Sequence, residues 1–356
     1  MSKKILALPL YGIGDVLMTT PAVRNLKEKT GAEITYLHMF EATRDILLNN
    51  PFIDENVHFS FLNAGKIEGL RFLMKFRKKF DCSINFYPSN RRDYNLASFI
   101  VGSPLRCGHR YARRNFRELN FLKNSTVAED GRLHNVEEDL RLLEFLGVRD
   151  NKPYPLEVYL TEEEKMFARK WLQERRAAPM MLCGIHPGTS TFKNHGKKRW
   201  PEQSFVALID RLVANLGDVA FLLFGGPEEK TLRESIASRV RHQEKVLAVE
   251  GVTVRQAAAL MGRCAFFVSN DSGPMHMAAA MRVPTVSIFG PTNPVWVRPW
   301  GVRHRVVRSG VPCSPCFTYS PKPMKCRQNG SYVCLSQLEV DQVFHACIEL
   351  LSELRI

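Results

Sequence analysis

Five groups of residues are spaced for chemistry on a charged ligand. The first lies in Leu10–Val16, directly after the apolar run Ile5–Leu8. Gly12 and Gly14 permit a tight turn where backbone can approach a ligand. Asp15 then falls at the start of a helix, where a carboxylate is either a cap or a general base held at a strand end. A dinucleotide fingerprint fails here, because Leu17 stands where its third glycine belongs. The second group runs from His186-Pro187-Gly188-Thr189-Ser190 to Lys198-Arg199-Trp200-Pro201. Hydroxyls and cations in one loop after a strand suit phosphate oxygens, and a lysine can neutralise a departing pyrophosphate. The same charges would equally suit a solvated loop, and the Walker A spacing is not met.

The third group, Ser269-Asn270-Asp271-Ser272-Gly273-Pro274-Met275-His276, joins an apolar run to a small-residue helix. Exposed N–H groups at such a helix start bind anions, and Ser272 and Gly273 allow a diphosphate close approach. His276 either faces the phosphates or is an ordinary satisfied histidine. In the fourth, Phe224-Gly225-Gly226-Pro227-Glu228-Glu229, a carboxylate past a strand end binds ribose hydroxyls or complements a helix dipole. The fifth is Cys313-x2-Cys316-x9-Cys326-x7-Cys334. Four thiolates can hold a structural zinc, though the second C-x2-C of a zinc ribbon is missing.

The elements that must position these groups alternate along the chain. Strand-like runs at Ile5–Leu8, Ile34–His38 and Cys82–Tyr87 are separated by helical patterns at Val16–Lys29, Gly65–Phe80 and Asn135–Leu146. The rhythm resets near Leu160, where Thr161 followed by Glu164 reads as a capping box. It resumes through Met180–Ile185, Val219–Phe224, Ala265–Ser269 and Thr285–Phe289, and ends in a helix at Gln337–Leu351. The pattern predicts an α/β protein of two parallel-sheet halves, with boundaries at 1–165, 178–335 and a final helical segment 336–356, and ligands at the carboxyl ends of the strands.

The chain of 356 residues carries 50 Lys+Arg against 36 Asp+Glu, a net +14. The excess is regional: 64–123 sum to +10 and 298–327 to +7. An anionic partner is implied, but no homeodomain, zinc-finger or RNA-binding signature supports nucleic acid. No run approaches the ~18 apolar residues of a membrane-spanning helix. The first residues begin like a signal peptide but break at 11–15 without a cleavage site, so a cytosolic start is expected. Nine cysteines, an odd count, argue against a secreted disulfide scaffold.

The G-x-G-D turn, the loop ending K-R-W-P, the G-G-P-E-E segment and N-D-S-G-P-x-H-x-A-A-A followed by F-G-P-T together resemble the ADP-heptose:lipopolysaccharide heptosyltransferases of glycosyltransferase family nine, over nearly the whole chain. The resemblance implies a GT-B fold, two Rossmann-like domains facing across a cleft, the N-terminal one for the acceptor and the C-terminal one for the nucleotide sugar. It implies inverting, metal-independent transfer of a heptose from ADP-heptose to the lipopolysaccharide inner core, by a cytoplasmic enzyme peripheral on the inner face of the inner membrane. Under it Asp15 is the general base and Lys198 the lysine that meets the leaving diphosphate. Thr189, Ser190, Arg199, Glu229, Asp271, Ser272, Gly273 and His276 are expected at the donor. Gly12, Gly14, Arg91, Arg92, Arg113 and Arg114 are expected at the acceptor. No cofactor is implied for catalysis; the four cysteines are candidates for structural zinc alone. The rival readings are a GT-B transferase using another nucleotide sugar and a non-catalytic binder of anionic glycolipid. Gly65–Phe80 reads as an ordinary outer helix or as an interfacial membrane helix with a basic side.

Overall fold

Short apolar runs such as Ile5–Ala7 and Phe266–Val268 lose all contact with water, which a strand does only when helices cover both faces of its sheet. The computed structural model describes residues 3–9, 12–111, 116–319 and 323–354. In it the chain divides between Tyr159 and Leu160 into two compact units, with Tyr319 grouped with the first.

The first unit is a parallel sheet of β1 (Lys4–Ala7), β2 (Glu33–His38), β3 (Glu55–His58), β4 (Cys82–Ile84), β5 (Leu105–Arg110) and β6 (Ser125–Ala128), in the order β3-β2-β1-β4-β5-β6. The second repeats that order with β7 (Met181–His186), β8 (Val219–Leu223), β9 (Val246–Ala248), β10 (Phe266–Asn270), β11 (Thr285–Ile288) and β12 (His304–Val307), as β12-β11-β10-β7-β8-β9. In each sheet the winding reverses beside the first strand, between β1 and β4 and between β7 and β10. Loops leaving adjacent strand ends diverge there, and the crevice they leave is the usual ligand position in open α/β sheets.

Thr161 caps the helix Glu162–Glu174 as expected: its hydroxyl accepts from Glu164 N–H and the Glu164 carboxylate accepts from Thr161 N–H. That carboxylate also pairs with Arg255 of the helix Val254–Met261 at 2.5 Å. The last helix, Val340–Leu354, buries Val343, Cys347 and Leu350 in the core of the second unit.

Several elements differ from expectation for local reasons. The helix expected over Val16–Lys29 is two helices, Ile13–Met18 and Thr20–Thr30. Thr19 between them turns its hydroxyl back to Val16 O, and Pro21 has no N–H to continue the ladder. The Gly65–Phe80 helix is shorter, Lys66–Met74, and Lys78 adopts a left-handed φ of 56°. Strands β3, β5 and β6 and the helix Arg92–Val101 carry too many polar residues to be read from periodicity. In β5, Gly108 leaves room for a neighbour's side chain, since a Cβ there would lie 2.6 Å from Lys123 Cδ. No helix among the described residues is long and apolar enough to cross a membrane.

Candidate active site

The loops leaving β7 and β10 in the second unit carry a dense polar cluster. His186 is the last residue of β7 and is buried. Gly188 follows because nothing larger fits: a Cβ there would lie 1.7 Å from Glu229 Oε1. Asn270, the last residue of β10, accepts from Trp200 N–H at 3.0 Å and donates to Pro187 O at 2.7 Å, pinning both ends of the basic loop to the sheet. Trp200 is itself locked in the core, with Nε1 donating to Leu338 O. These anchors fix Lys198 and Arg199 between them.

Lys198 is buried and donates to Asp271 Oδ2 at 2.5 Å, with Thr292 Oγ1 at 3.4 Å. Burial alone would raise the Asp271 carboxyl, but Lys198 and the Thr292 hydroxyl outweigh it and hold it below the usual range. Glu229 behaves likewise. Burial pushes it up; His186, Gly226 N–H and Arg199 bring it down. Its Oε2 lies 3.0 Å from His186 Nε2, and His186 Nδ1 lies 3.0 Å from Ser272 Oγ. The ionised carboxylate can only accept, so in the neutral ring Nε2 carries the proton and Nδ1 accepts from the Ser272 hydroxyl. Ser272 is the N-cap of the helix Gly273–Ala280, so one chain of hydrogen bonds joins Glu229 to the start of that helix.

Arg199 donates through Nη2 to Thr189 O at 2.7 Å and lies 3.4 Å from Glu229 Oε1, while its Nε is buried without a hydrogen-bond partner. An unpaired buried guanidinium N–H is costly unless a ligand accepts from it. His276 is buried beside Asp271 and Lys198; burial pushes it down to about 4, so it stays neutral, and its Nδ1 is also unpartnered. The Thr189 hydroxyl is committed to His195 O, whereas Ser190 is exposed. Lys198, Arg199, Thr189, Glu229, Asp271, Ser272, Gly273 and His276 thus meet at the β7/β10 crevice. Sequence reasoning missed His186 and Asn270 as parts of it, although both stand inside the motifs quoted above.

In the first unit Asp15 lies in the first turn of Ile13–Met18, immediately beyond β1, and is half-buried. Its charge reaches Tyr94 and Asp139. Tyr94 is raised to about 12, by burial first and by Asp15 and Asp93 against the pull of Arg91. Asp139 is fully buried. Its Oδ1 accepts from Tyr87 N–H at 2.6 Å, and its Oδ2 has no partner. Burial, then Glu138 and Asp15, raise this carboxyl well above the usual range. The Arg91 guanidinium sits 5.8 Å from the Tyr94 ring centre, but the Arg92 side chain is 71% exposed beside Asp93. Gly12 has ordinary extended angles and open space around its Cβ position, and Gly14 lies within the helix. The turn therefore does not demand glycine at position 12, which leaves the surface before Asp15 open. Arg113 and Arg114 lie outside the described residues.

Residues 80–326 match the family described as "Glycosyltransferase family 9 (heptosyltransferase)". The chain belongs to glycosyltransferase family 9. It is 25% identical over 303 residues to lipopolysaccharide heptosyltransferase 3 of Escherichia coli K12, covering 81% of this chain and 82% of the relative. Its fold is that of a family 9 glycosyltransferase from Veillonella parvula (TM-score 0.80, 24% identity, 99% and 98% of the two chains). It is also that of E. coli heptosyltransferase WaaC, solved with ADP (TM-score 0.70, 18% identity, 98% and 99%). The α/β, GT-B class expected from the sequence is the class of these proteins.

The four cysteines grouped in the sequence come together in the second unit. Cys313, Cys316, Cys326 and Cys334 line one small cavity with Met324 and Tyr332. Yet among the described residues no group of three or more His, Cys, Asp or Glu is disposed to hold a metal ion. Burial and then its three neighbours push the Cys334 thiol up to about 11, so any bound cation would first have to displace that proton.

Proposed function

We propose that this family 9 protein is an inverting heptosyltransferase of lipopolysaccharide core synthesis, taking L-glycero-D-manno-heptose from its ADP derivative to a sugar hydroxyl of the inner core. The observation that carries the reading is the β7/β10 crevice. There Arg199 presents a buried N–H without a partner, beside Lys198 and the start of the helix Gly273–Ala280. This is chemistry for a diphosphate. Family membership supports it, as do relatives named for heptosyl transfer and the solved ADP complex of a protein with this fold.

In this reading the acceptor hydroxyl is a poor nucleophile, and Asp15 takes its proton as the new glycosidic bond forms. Attack on the anomeric carbon from the side opposite ADP gives one inversion. The bond to the diphosphate oxygen breaks, and charge grows on the departing ADP. Lys198 and Arg199 receive it, with the Ser272–Gly273 backbone, so departure needs no metal ion. Before the donor binds, Asp271 and Glu229 balance the two cations; the incoming diphosphate adds the negative charge that Arg199 Nε and the helix start are placed to accept. Glu229, oriented by His186 and the Gly226 N–H, is the candidate for the ribose hydroxyls. Arg91 stands on the acceptor side with Asp15. The acceptor is lipid-borne, so the enzyme works peripherally at the cytoplasmic face of the inner membrane. Nucleic acid is no partner.

Calorimetric titration with ADP-heptose, UDP-sugars and GDP-sugars tests the donor. ADP-heptose binding at least ~10-fold tighter than the others is expected, about 1.4 kcal/mol. Preference for a UDP- or GDP-sugar would favour a transferase of another surface glycan. Absence of any nucleotide-sugar binding would favour a non-catalytic glycolipid binder.

A further inference from the structure

The helix Lys66–Met74 satisfies its core without using all of its apolar residues. Gly69 and Leu73 are buried, and Phe72 stacks on Phe59 with ring centres 4.1 Å apart. A second apolar stripe, Ile67, Leu70 and Met74, is spaced i, i+3, i+7 on the outer face and is left in water, with Ile67 68% exposed. Residues at that spacing share one side of a helix. The chain from this helix is tied to the end of the neighbouring helix Arg92–Val101, where Lys78 N–H donates to Val101 O at 2.8 Å. That helix also exposes an i, i+3 apolar pair, Leu96 and Phe99. Of the eleven large hydrophobic side chains exposed among the described residues, eight fall between Leu62 and Phe121, and only Met166 belongs to the second unit.

Charge singles out the same stretch. Residues 64–123 contain 14 Lys+Arg and 4 Asp+Glu. Around the outer stripe Lys66, Arg71, Lys75 and Lys79 are all exposed, with Glu68 the one acid within the helix. Arg106 sits 6.0 Å from the Phe99 ring. Scattered single hydrophobics on a surface need no explanation, but a concentration of them within a cationic rim does. Apolar side chains that enter the acyl boundary while cations meet headgroup phosphates are the mark of an interfacial helix.

We infer that the outer face of the helices Lys66–Met74 and Arg92–Val101 docks on an anionic lipid bilayer, Ile67, Leu70, Met74 and Phe99 entering the interface and Lys75 and Lys79 pairing with headgroups. This deepens the reading of a lipid-borne acceptor and rests on it for its purpose. The binding is measured with neither donor nor acceptor, so the two readings fail separately.

The test is co-sedimentation of the full chain with vesicles of phosphatidylcholine alone and with about 30 mol % phosphatidylglycerol. Binding to the anionic vesicles only is expected. An Ile67→Gln/Leu70→Gln/Phe99→Gln variant should lose partitioning by ~10-fold or more, as lost apolar burial requires. Lys75→Glu/Lys79→Glu should lose it more at low salt than at high salt. Met166→Gln, a comparable change in the second unit, should bind like the parent, and melting temperatures should match throughout. The proposal is overturned if the unaltered protein ignores anionic vesicles or if the triple variant binds as well as the parent. It is also overturned if, without lipid, the triple substitution dissolves a dimer, which would assign the face to a second copy.

Discussion

In the proposed reading Lys198 meets the leaving diphosphate, and it is held in place by Asp271, a carboxylate that would otherwise be a liability. Removing one member of a buried pair strands the other charge, at a cost of about 3–5 kcal/mol, whereas neutralising both is far milder. Lys198→Ala therefore confounds stability with catalysis, and the informative variant is Lys198→Met/Asp271→Asn. It should melt closer to the parent than Lys198→Ala does, yet transfer heptose roughly 10²–10³-fold more slowly, the loss typical of one electrostatic donor to a developing oxyanion. Thermal melts and kcat on the same preparations check both halves. Much of this site was legible in the sequence, because Lys198, Arg199, Asp271 and Ser272 stand within a few residues of strand ends. The work of His186 was not. Its partners, Glu229 and Ser272, are 43 and 86 residues away, and only the sheet order brings them to its two ring nitrogens.

Elements announced by apolar runs were legible, and so was the Thr161–Glu164 cap, since its reciprocal hydrogen bonds need only local sequence. Elements stabilised by side chains from elsewhere were not. Strand β5 reads Leu-Arg-Cys-Gly-His-Arg, and it is a strand because its neighbours supply the ladder and because the Lys123 stem fills the space over Gly108. Lys123 is buried, donates to His109 O at 2.8 Å, and is pushed down to about 7 by burial. Its ordinary value is 10.5, so between about 7 and 10.5 the unfolded chain binds more protons at this site and stability rises with pH. Below 7 both states are protonated and the full penalty of the buried charge remains. Lys123→Met should raise the melting temperature by several degrees at pH 7 and flatten its increase from pH 7 to 10. Calorimetry across that range checks the slope; a variant keeping the parent's slope would place its origin elsewhere.

At the scale of the whole chain, net charge +14 pointed to an anionic partner without saying which. The structure divides the question. In the second unit, Lys198 and Arg199 are matched by Asp271 and Glu229 and serve a local site. In the first, exposed cations surround exposed apolar side chains, which suits the proposed bilayer contact. The two units repeat one strand order, and each places its candidate chemistry at its own reversal of winding: Asp15 beyond β1, and Lys198 with Asp271 beside β7 and β10. In the proposed mechanism the first unit supplies the base and the second the contacts to the leaving group. Asp15→Asn tests it most directly, since the amide keeps the shape and cannot take the proton. Measured with ADP-heptose and a defined inner-core acceptor, the variant should bind donor as the parent does and lose transfer by roughly 10²-fold or more. Turnover near the parent's level, with donor affinity unchanged, would contradict the account.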